Sequence, residues 1–245
     1  MRDVKATKRV LEQHEHGDRR EQGTAEGPLW EAEYGDLQVI PSSTRTLPSK
    51  ALVLFSELLE LSKAGRVLDA GCGNGRNSVY LAEKGCEVDA VDTSETALRQ
   101  LDRLARDRGV YGRVHSHNRS LADPLPFPND HFDLALDSYV FCHFTDNDLK
   151  EHYRQEMARV LRPGGLLFSS VFCTDDAYYA QFADWKTKLA VDPNNGLTKR
   201  LYSESEIKAF FAEDFALKYF AKFAFEDIVL RQSYWRSILV CILQK

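Results

Sequence analysis

The sequence predicts an α/β fold in which a doubly wound, seven-stranded and mostly parallel sheet carries helices on both faces. Short apolar strands alternate with amphipathic helices between residues 66 and 172, and a glycine-rich turn joins the first of these strands to its helix. Two long β-prone runs then close the chain. Because only a few residues around Arg231 separate them, they predict a C-terminal hairpin and therefore one antiparallel strand.

Length and composition narrow the class of protein. The 245 residues suffice for one large domain, and 43% hydrophobic with 28% charged residues is the usage of a globular protein. The longest apolar run, Ile238 to Leu243, is far shorter than the roughly 20 residues of a membrane-spanning helix. No apolar stretch follows the basic residues at the start, so a secretory signal is not expected. We therefore predict a cytoplasmic protein without a membrane partner.

Charge and cysteine content argue against two further classes. The formal net charge is −5, whereas a protein that holds nucleic acid through phosphate usually has a basic excess. The five cysteines are widely spaced and never form a C-x-x-C pair, which predicts neither a disulfide framework nor a metal site. We expect these cysteines to be small buried side chains.

The chain divides into an arm and one domain. Residues 1–27 are dense in charge and histidine with few apolar residues, which predicts a mobile N-terminal arm. Residues 28–245 form the single domain, with a lid segment at 28–47. The stretch 174–202 breaks the strand-helix alternation and contains a turn cluster from Asp192 to Gly196, which predicts an insertion that caps the substrate.

Within the domain, a helix begins after Pro48 and continues at helical spacing until Gly65. A strand at Val67 and Leu68 leads into the glycine turn, and Thr93 or Ser94 is a good N-cap for a helix that ends near Gly109. The remaining elements are a helix at 76–84, strands at 87–91, 113–117, 132–137 and 166–172, a helix at 146–161, and terminal strands at 215–225 and 233–243.

The turn after the first strand is the most informative segment. Glycines at 71, 73 and 75 remove every second Cβ, so a ligand can lie against main-chain amides at the end of a strand in a Rossmann-like sheet. A dinucleotide fingerprint needs a third glycine where this chain has Arg76. Asp69 suits an amino group and Asp92, at the end of the second strand, suits ribose hydroxyls. A ligand with adenosine and an amino acid but no phosphate fits these residues better.

At these residues the sequence resembles the class I S-adenosylmethionine-dependent methyltransferases, and within them the small-molecule and tellurite-resistance-type branch. Four segments in the same order, which span roughly residues 66 to 172, carry the likeness: Gly71-Cys72-Gly73-Asn74-Gly75-Arg76-Asn77-Ser78, Val88-Asp89-Ala90-Val91-Asp92, Pro124-Leu125-Pro126-Phe127-Pro128 with Phe132-Asp133-Leu134, and Val160-Leu161-Arg162-Pro163-Gly164-Gly165.

The resemblance implies S-adenosyl-L-methionine as cofactor and S-adenosyl-L-homocysteine as product. Asp69 would lie at the methionine part, Asp92 at the ribose and Thr93 near the adenine. The family commonly has an acid before the Leu-Pro-Phe segment, and here Ser120 or Leu121 takes that place, with Asp123 as a substitute. The implied cofactor residues are Asp69, Gly71, Cys72, Gly73, Asp92, Thr93, Ser120, Leu121, Ala122, Asp137 and Ser138.

Candidates for acceptor chemistry follow the fourth strand. His143 titrates near working pH and could accept a proton from the acceptor, or it could be a helix-start residue that points at solvent. Asp137 is the second candidate base. The predicted substrate-binding residues are aromatic or cationic side chains of the lid, the insertion and the last hairpin, for which ordinary packing is the alternative: Trp30, Tyr34, Tyr178, Trp185, Tyr234 and Arg236.

The predicted function is transfer of a methyl group to a small-molecule acceptor by in-line displacement, by a monomer or homodimer. One alternative is a non-catalytic protein of the same fold that senses the cofactor. Another is an RNA or protein methyltransferase, and the acidic charge disfavours RNA as the substrate. The segment Asp137-Ser138-Tyr139-Val140 also lacks the Asn/Asp-Pro-Pro-Tyr run of nucleic-acid enzymes.

Overall fold

A computed structural model describes residues 26–59, 61 and 65–245. Residues 1–25 of the predicted arm lie outside the described residues. Short helices come first, and then a strand-helix alternation. The helices are α1 (Gly27–Ala32), α2 (Pro41–Thr44), α3 (Lys50–Phe55), α4 (Arg76–Glu83), α5 (Glu95–Asp107), α6 (Asn147–Val160) and α7 (Glu204–Phe211). The strands are β1 (Arg66–Ala70), β2 (Glu87–Asp92), β3 (Val114–Asn118), β4 (Phe132–Ser138), β5 (Leu161–Phe172), β6 (Ala183–Asp184), β7 (Leu189–Val191), β8 (Thr198–Arg200), β9 (Ala216–Val229) and β10 (Gln232–Gln244).

Seven strands form one sheet in the order β3-β2-β1-β4-β5-β10-β9. Strand β1 pairs in parallel with β2 and β4, and β10 pairs antiparallel with both β5 and β9. The predicted fold class is therefore confirmed. Strands β2 and β4 lie on opposite sides of β1, so the order of the strands reverses there. Sheets of this type bind ligands at the carboxyl end of the strand where the order reverses.

Burial explains why these segments become strands. Strands β1, β2 and β4 are short apolar runs with both faces covered, as in a parallel sheet between helix layers. Helix α5 begins where predicted, because the side chain of Ser94 accepts a hydrogen bond from the backbone amide of Ala97. Its apolar positions Ala97, Leu98, Leu101 and Ala105 are buried against the sheet.

Three predicted boundaries were wrong, and one of them is the end of β9, which lies at Val229 rather than at Phe225. Strand β5 begins at Leu161 rather than Leu166, because Leu161 already pairs with Phe132 and a register shift between Phe132 and Leu134 accommodates the glycines. Helix α3 ends at Phe55 rather than near Gly65, and residues 60 and 62–64 lie outside the described residues. No described helix combines the length and hydropathy that a membrane crossing requires.

The last hairpin is tight. Leu230 and Arg231 join β9 to β10, and both have positive φ angles of 49° and 67°, as a two-residue turn of the hairpin type requires. Before it, β6, β7 and β8 form a small antiparallel sheet within residues 174–202, and α7 follows. Neither the small sheet nor α7 was predicted.

Candidate functional site

A cavity of about 780 Å³ opens at the carboxyl ends of the central strands. Its floor comes from the sheet edge, one wall from the N-terminal residues 26–50, and another from the small sheet β6-β7-β8. We call residues 26–50 the N-terminal wall and residues 174–202 the cap. The cavity therefore lies next to β1, where the order of the strands reverses. This is the usual ligand position in a sheet of this type.

The glycine turn shapes the floor. Gly71 lines the cavity at a φ of 70°, and a Cβ added there would lie 2.4 Å from a methyl carbon of Val140. Gly73 has a φ of 57°, and its missing Cβ leaves room for the hydroxyl of Tyr34, which would otherwise be 2.2 Å away. Both positions therefore require glycine, for the left-handed backbone and for the close approach of a neighbour.

Asp92 presents a fixed carboxylate at the end of β2. Its Oδ2 accepts a hydrogen bond of 2.8 Å from the amide of Gly73, and its Oδ1 accepts one of 2.9 Å from the amide of Ser94. Burial raises the pKa of this carboxyl, while the backbone donors act in the opposite direction. Because Asp92 also lines the cavity, its oxygens can accept further hydrogen bonds from a diol.

Asp69 lies behind the floor, not in the cavity wall. The hydroxyl of Ser78 donates to its Oδ2 at 2.5 Å, and burial raises the pKa of the Asp69 carboxyl to about 7. Arg76, the first residue of α4, does line the cavity, and among the described residues it makes no ion pair. A guanidinium therefore faces the ligand space where a dinucleotide site has its third glycine.

Asp137 is fully buried and holds a turn. Its Oδ1 accepts from the amides of Val140 and Phe141, and its Oδ2 accepts from the hydroxyl of Tyr153 at 2.8 Å. Burial raises its pKa to about 6. Asp137 does not line the cavity. These hydrogen bonds instead fix the short 3₁₀ turn that carries His143, since the amide of His143 also bonds to the carbonyl of Val140.

His143 lines the cavity with its side chain 10% exposed, so it does not point at bulk solvent. The ring of Trp30 meets it edge to face, with centroids 4.7 Å apart. Its Nδ1 lies 3.7 Å from Oε2 of Glu26, beyond hydrogen-bond distance, and has no hydrogen-bond partner among the described residues. Burial, and secondarily Lys199, hold the pKa of His143 well below its usual value, so the imidazole is neutral at pH 7.

Polar contacts attach the N-terminal wall to the rest of the domain. Glu33 accepts hydrogen bonds from the amide of Ile40, the hydroxyl of Ser43 and the side-chain amide of Asn195 in the cap. Glu31 accepts from the hydroxyl of Ser94 at 2.7 Å. The wall, the cap and the start of α5 are thus joined around one cavity.

The cavity residues that sequence reasoning missed include Glu26, Arg76 and Lys199. Lys199 is only 1% exposed, and it lies on β8 with its ammonium 4.7 Å from the ring centroid of Tyr179. The sequence contained a signal for Lys199, because it alternates with Leu197 and Leu201 at the spacing of a strand. All three side chains are buried. Burial, above all, raises the pKa of Glu26 to about 7.

The structure brings most of the predicted residues together and separates others. Those that line the cavity are Gly71, Asp92, Thr93, Ser120, Leu121, Ser138, His143, Trp30, Tyr34 and Arg236. Among the predicted cofactor residues, Asp69, Cys72, Gly73, Ala122 and Asp137 do not line it.

Three predicted acceptor-side aromatics also stand apart from the cavity. Trp185 is 55% exposed on the outside of the cap. Tyr178 is buried with its hydroxyl 3.0 Å from Asp192, and its ring packs on Tyr234. Tyr178 therefore supports Tyr179 from behind, since these two rings are 5.0 Å apart and only Tyr179 reaches the cavity.

Comparisons with known proteins find similar sequences and similar folds. Residues 67–165 match the family profile described as methyltransferase domain. This part of the chain is similar in sequence to methyltransferase domains. It is 39% identical over 114 residues to methyltransferase GfsG of Streptomyces halstedii and 40% identical over 111 residues to malonyl-[acyl-carrier protein] O-methyltransferase of Salmonella typhimurium. These matches cover 45% and 44% of this chain and 39% of each relative, so the chain spans about two fifths of the curated relatives it matches.

The similarity of fold to solved structures extends beyond that segment. The structure of Burkholderia thailandensis 1,6-didemethyltoxoflavin-N1-methyltransferase, with its substrate and S-adenosylhomocysteine bound, superposes with a TM-score of 0.70 at 22% identity. The match covers 94% of this chain and 91% of that one. A SAM-dependent methyltransferase from Methanosarcina mazei superposes with a TM-score of 0.66 at 24% identity, covering 81% and 99%. These two structures share the fold, and the narrower tellurite-resistance-type assignment stays a prediction.

Proposed function

We propose that this protein transfers a methyl group from S-adenosyl-L-methionine to a small-molecule acceptor and releases S-adenosyl-L-homocysteine. The observation that carries the proposal is one continuous cavity that joins the glycine turn and Asp92 at one end to His143, Tyr179 and Lys199 at the other. A donor and an acceptor can therefore lie side by side within it. The methyltransferase relatives and the matching fold support the same activity.

The residues at the sheet edge fit this cofactor. Asp92 is held by two backbone amides and faces the cavity, as recognition of a ribose diol requires. Thr93, Ser120 and Leu121 line the adjoining wall, where an adenine would lie. Gly71, Arg76 and the Ser138 hydroxyl, which has no partner among the described residues, line the floor for the amino-acid end. The Asp69 carboxyl is buried behind this floor and does not line the cavity.

S-adenosyl-L-methionine, when bound, supplies a methyl group that is activated by a sulfonium centre. What remains for the protein is to align the acceptor and exclude water, because displacement of a neutral thioether needs no strong acid. Trp30 and Tyr34 of the N-terminal wall are suited to cover the site, and their aromatic faces attract cations.

His143 is the residue best suited to accept a proton from the acceptor. Its imidazole lines the cavity and is neutral at pH 7, which is the form that can accept a proton. Asp137 has both carboxylate oxygens engaged and no access to the cavity, so we assign it a positioning role beneath His143. His143→Ala is expected to slow transfer to acceptors that must lose a proton and to leave cofactor binding intact.

We further infer that the protein acts in the cytoplasm, as a monomer or homodimer, and on a free small molecule rather than on nucleic acid. The net charge of −5 supports the last point.

The test of the proposed cofactor is thermal unfolding in the presence of S-adenosylmethionine, S-adenosylhomocysteine or NAD. A ligand at one hundred times its Kd adds about 2.7 kcal/mol to the free energy of unfolding, which raises Tm by several degrees. We expect both sulfur nucleotides to do so and NAD to have no effect. A response to NAD alone, or to none of the three, would refute the proposal.

A matched pair of variants ties the result to the site. Asp92→Asn keeps the shape of the side chain and removes the charge that accepts the diol. We expect S-adenosylhomocysteine to bind at least about tenfold more weakly, since a hydrogen bond to a charged group contributes roughly 1.5 to 3 kcal/mol. Asp107→Asn, at an exposed position of α5, should bind as the wild type does.

A further inference from the structure

The acceptor end of the cavity contains two buried cations against one aromatic ring. The ammonium of Lys199 lies 4.7 Å from the ring centroid of Tyr179, and the guanidinium carbon of Arg236 lies 4.9 Å from the same centroid. All three residues line the cavity. Lys199 comes from the cap and Arg236 from β10, so two separate parts of the fold bring positive charge to one place.

Both cations have donor atoms without a partner. Among the described residues, neither Nζ of Lys199 nor Nη2 of Arg236 has a hydrogen-bond partner, although both residues are buried. Arg236 is otherwise fixed, because its Nε donates to Asp176 at 2.8 Å. A buried donor without an acceptor is costly, so such groups in native proteins call for an explanation.

Neighbouring carboxyls do not neutralise Lys199. Glu33 and Asp192 are nearby, but their oxygens already accept hydrogen bonds from Asn195, Tyr178 and other groups. Glu26 is the third neighbour, and burial raises its pKa to about 7, so a large part of it is uncharged at neutral pH. No carboxylate of a described residue lies within ion-pair distance of Lys199. Burial lowers the pKa of Lys199, so an anionic ligand that accepts a hydrogen bond from its Nζ would favour the charged form.

The charge of the residues that line the cavity also favours an anionic ligand. Six lysine and arginine residues line the cavity but only three carboxylates do, although the chain as a whole has a net charge of −5. Asp227 already pairs with Arg45. The basic residues are Arg45, Lys50, Arg76, Arg119, Lys199 and Arg236, and the acidic ones are Glu26, Asp92 and Asp227.

We propose that the acceptor is an aromatic molecule with an anionic oxygen group, which Lys199 binds with help from Nη2 of Arg236 while the rings of Tyr179 and Phe172 contact its apolar body. This inference rests on the proposed function, because it names the substrate class for the same cavity. Phe172 belongs to the site because the guanidinium of Arg236 lies 4.8 Å from its ring centroid. Lys199 is then a residue that determines specificity.

The test uses two dyes that differ in one charged group. 1-Anilinonaphthalene-8-sulfonate is anionic, and N-phenyl-1-naphthylamine has the same aromatic body without the sulfonate. Each is titrated by fluorescence into wild type, Lys199→Met and Lys186→Met, with and without S-adenosylhomocysteine. Lys186 is the matched control because it is an exposed lysine of the same cap. Lys199→Met keeps the length of the side chain, and it should not unfold more easily, since it removes an unpaired buried charge.

We expect wild type and Lys186→Met to bind the anionic dye at least about tenfold more tightly than the neutral one, as a charge-assisted hydrogen bond implies. Lys199→Met should lose that preference and bind the neutral dye as before. Equal binding of both dyes by wild type, or an unchanged preference in Lys199→Met, would overturn the inference. The thermal-shift response to S-adenosylhomocysteine is measured on the same proteins, so failure of the proposed function would be seen separately.

Discussion

Buried charged groups are fully hydrogen-bonded near one end of the cavity and lack partners at the other end. At the sheet edge, Asp92 and Asp137 have both carboxylate oxygens bonded to backbone amides or to Tyr153. At the acceptor end, Lys199 and Nη2 of Arg236 lack partners among the described residues. The chain therefore fixes the carboxylates of the sheet edge, and we call this part of the site the frame. The acceptor end has donor atoms without acceptors.

This difference distinguishes buried charged groups that stabilise the fold from buried charged groups that bind a ligand. A buried ionic group whose partners are all supplied by the chain contributes shape, and its loss should reduce stability. A buried ionic group without partners costs stability until a ligand supplies them. The predictions below test this contrast, beginning with the largest expected effect.

Asp176→Ala should have the largest effect on stability. Asp176 accepts hydrogen bonds from Nε of Arg236 and from the amides of Tyr179 and Ser237, so its loss leaves a buried cation unpaired. We expect the free energy of unfolding in urea to fall by about 3 to 5 kcal/mol. Asp175→Ala is the control, because this neighbour pairs with Lys222 in an exposed position and should cost less than about 1 kcal/mol. Equal losses would contradict the contrast.

Gly71→Ala tests the floor of the frame. The new Cβ would lie 2.4 Å from Val140 at a φ of 70°, so backbone strain and crowding act together. We expect a loss of about 3 kcal/mol in unfolding free energy and a loss of the thermal shift with S-adenosylhomocysteine. Gly112→Ala, where no atom lies within 4 Å of the added Cβ, should change neither measurement. Unaltered binding by Gly71→Ala would mean that the floor tolerates a side chain.

Asp69 should leave a signature in the pH dependence of stability. Burial raises its pKa from 3.8 to about 7, so between these values the folded protein retains a proton that the unfolded chain releases. Stability attributable to Asp69 must therefore fall as pH rises through this window. We expect the wild type to lose at least about 1.4 kcal/mol relative to Asp69→Asn between pH 4.5 and 7.5, measured by urea unfolding without ligand. A difference that is flat, or that rises with pH, would refute it.

Tyr153→Phe removes one hydrogen bond from the frame. The hydroxyl of Tyr153 donates to Asp137 at 2.8 Å, and both residues are buried. We expect a loss of about 1.5 kcal/mol, because the acceptor is a carboxylate. Tyr111→Phe, at an exposed ring, should be neutral within experimental error. If both variants unfold alike, Asp137 does not depend on Tyr153 for its position.

Ser203→Ala should have the smallest effect and should leave both ends of the cavity unchanged. Ser203 and Glu206 form a reciprocal capping box at the start of α7, outside the cavity. We expect a loss of about 1 kcal/mol in unfolding free energy with unaltered binding of S-adenosylhomocysteine. Ser205→Ala is the comparison, because it removes a hydroxyl that contacts Ser203 and keeps both hydrogen bonds of the box. A change in ligand binding by Ser203→Ala would show that α7 is coupled to the site.

The accuracy of the sequence predictions followed the range of the interactions involved. Strand-helix alternation and capping at Ser94 are local patterns, and the corresponding elements form where they were predicted. The capping box at Ser203 was an equally local signal for α7 that was overlooked. The three-stranded cap could not be predicted with the same ease, because β6 and β7 are only two and three residues long and depend on pairing with each other.

The sequence by itself determined the sheet, its order of elements, and the glycine turn with Asp92 at the ligand-binding edge. These follow from periodicity and from backbone geometry that only glycine adopts freely. Only the tertiary structure decided that Asp137 supports His143 from behind, that Trp185 stands outside the cavity, and that Lys199 enters it. Such positions depend on contacts between residues far apart in the chain, and burial and charge at those contacts have no short-range pattern.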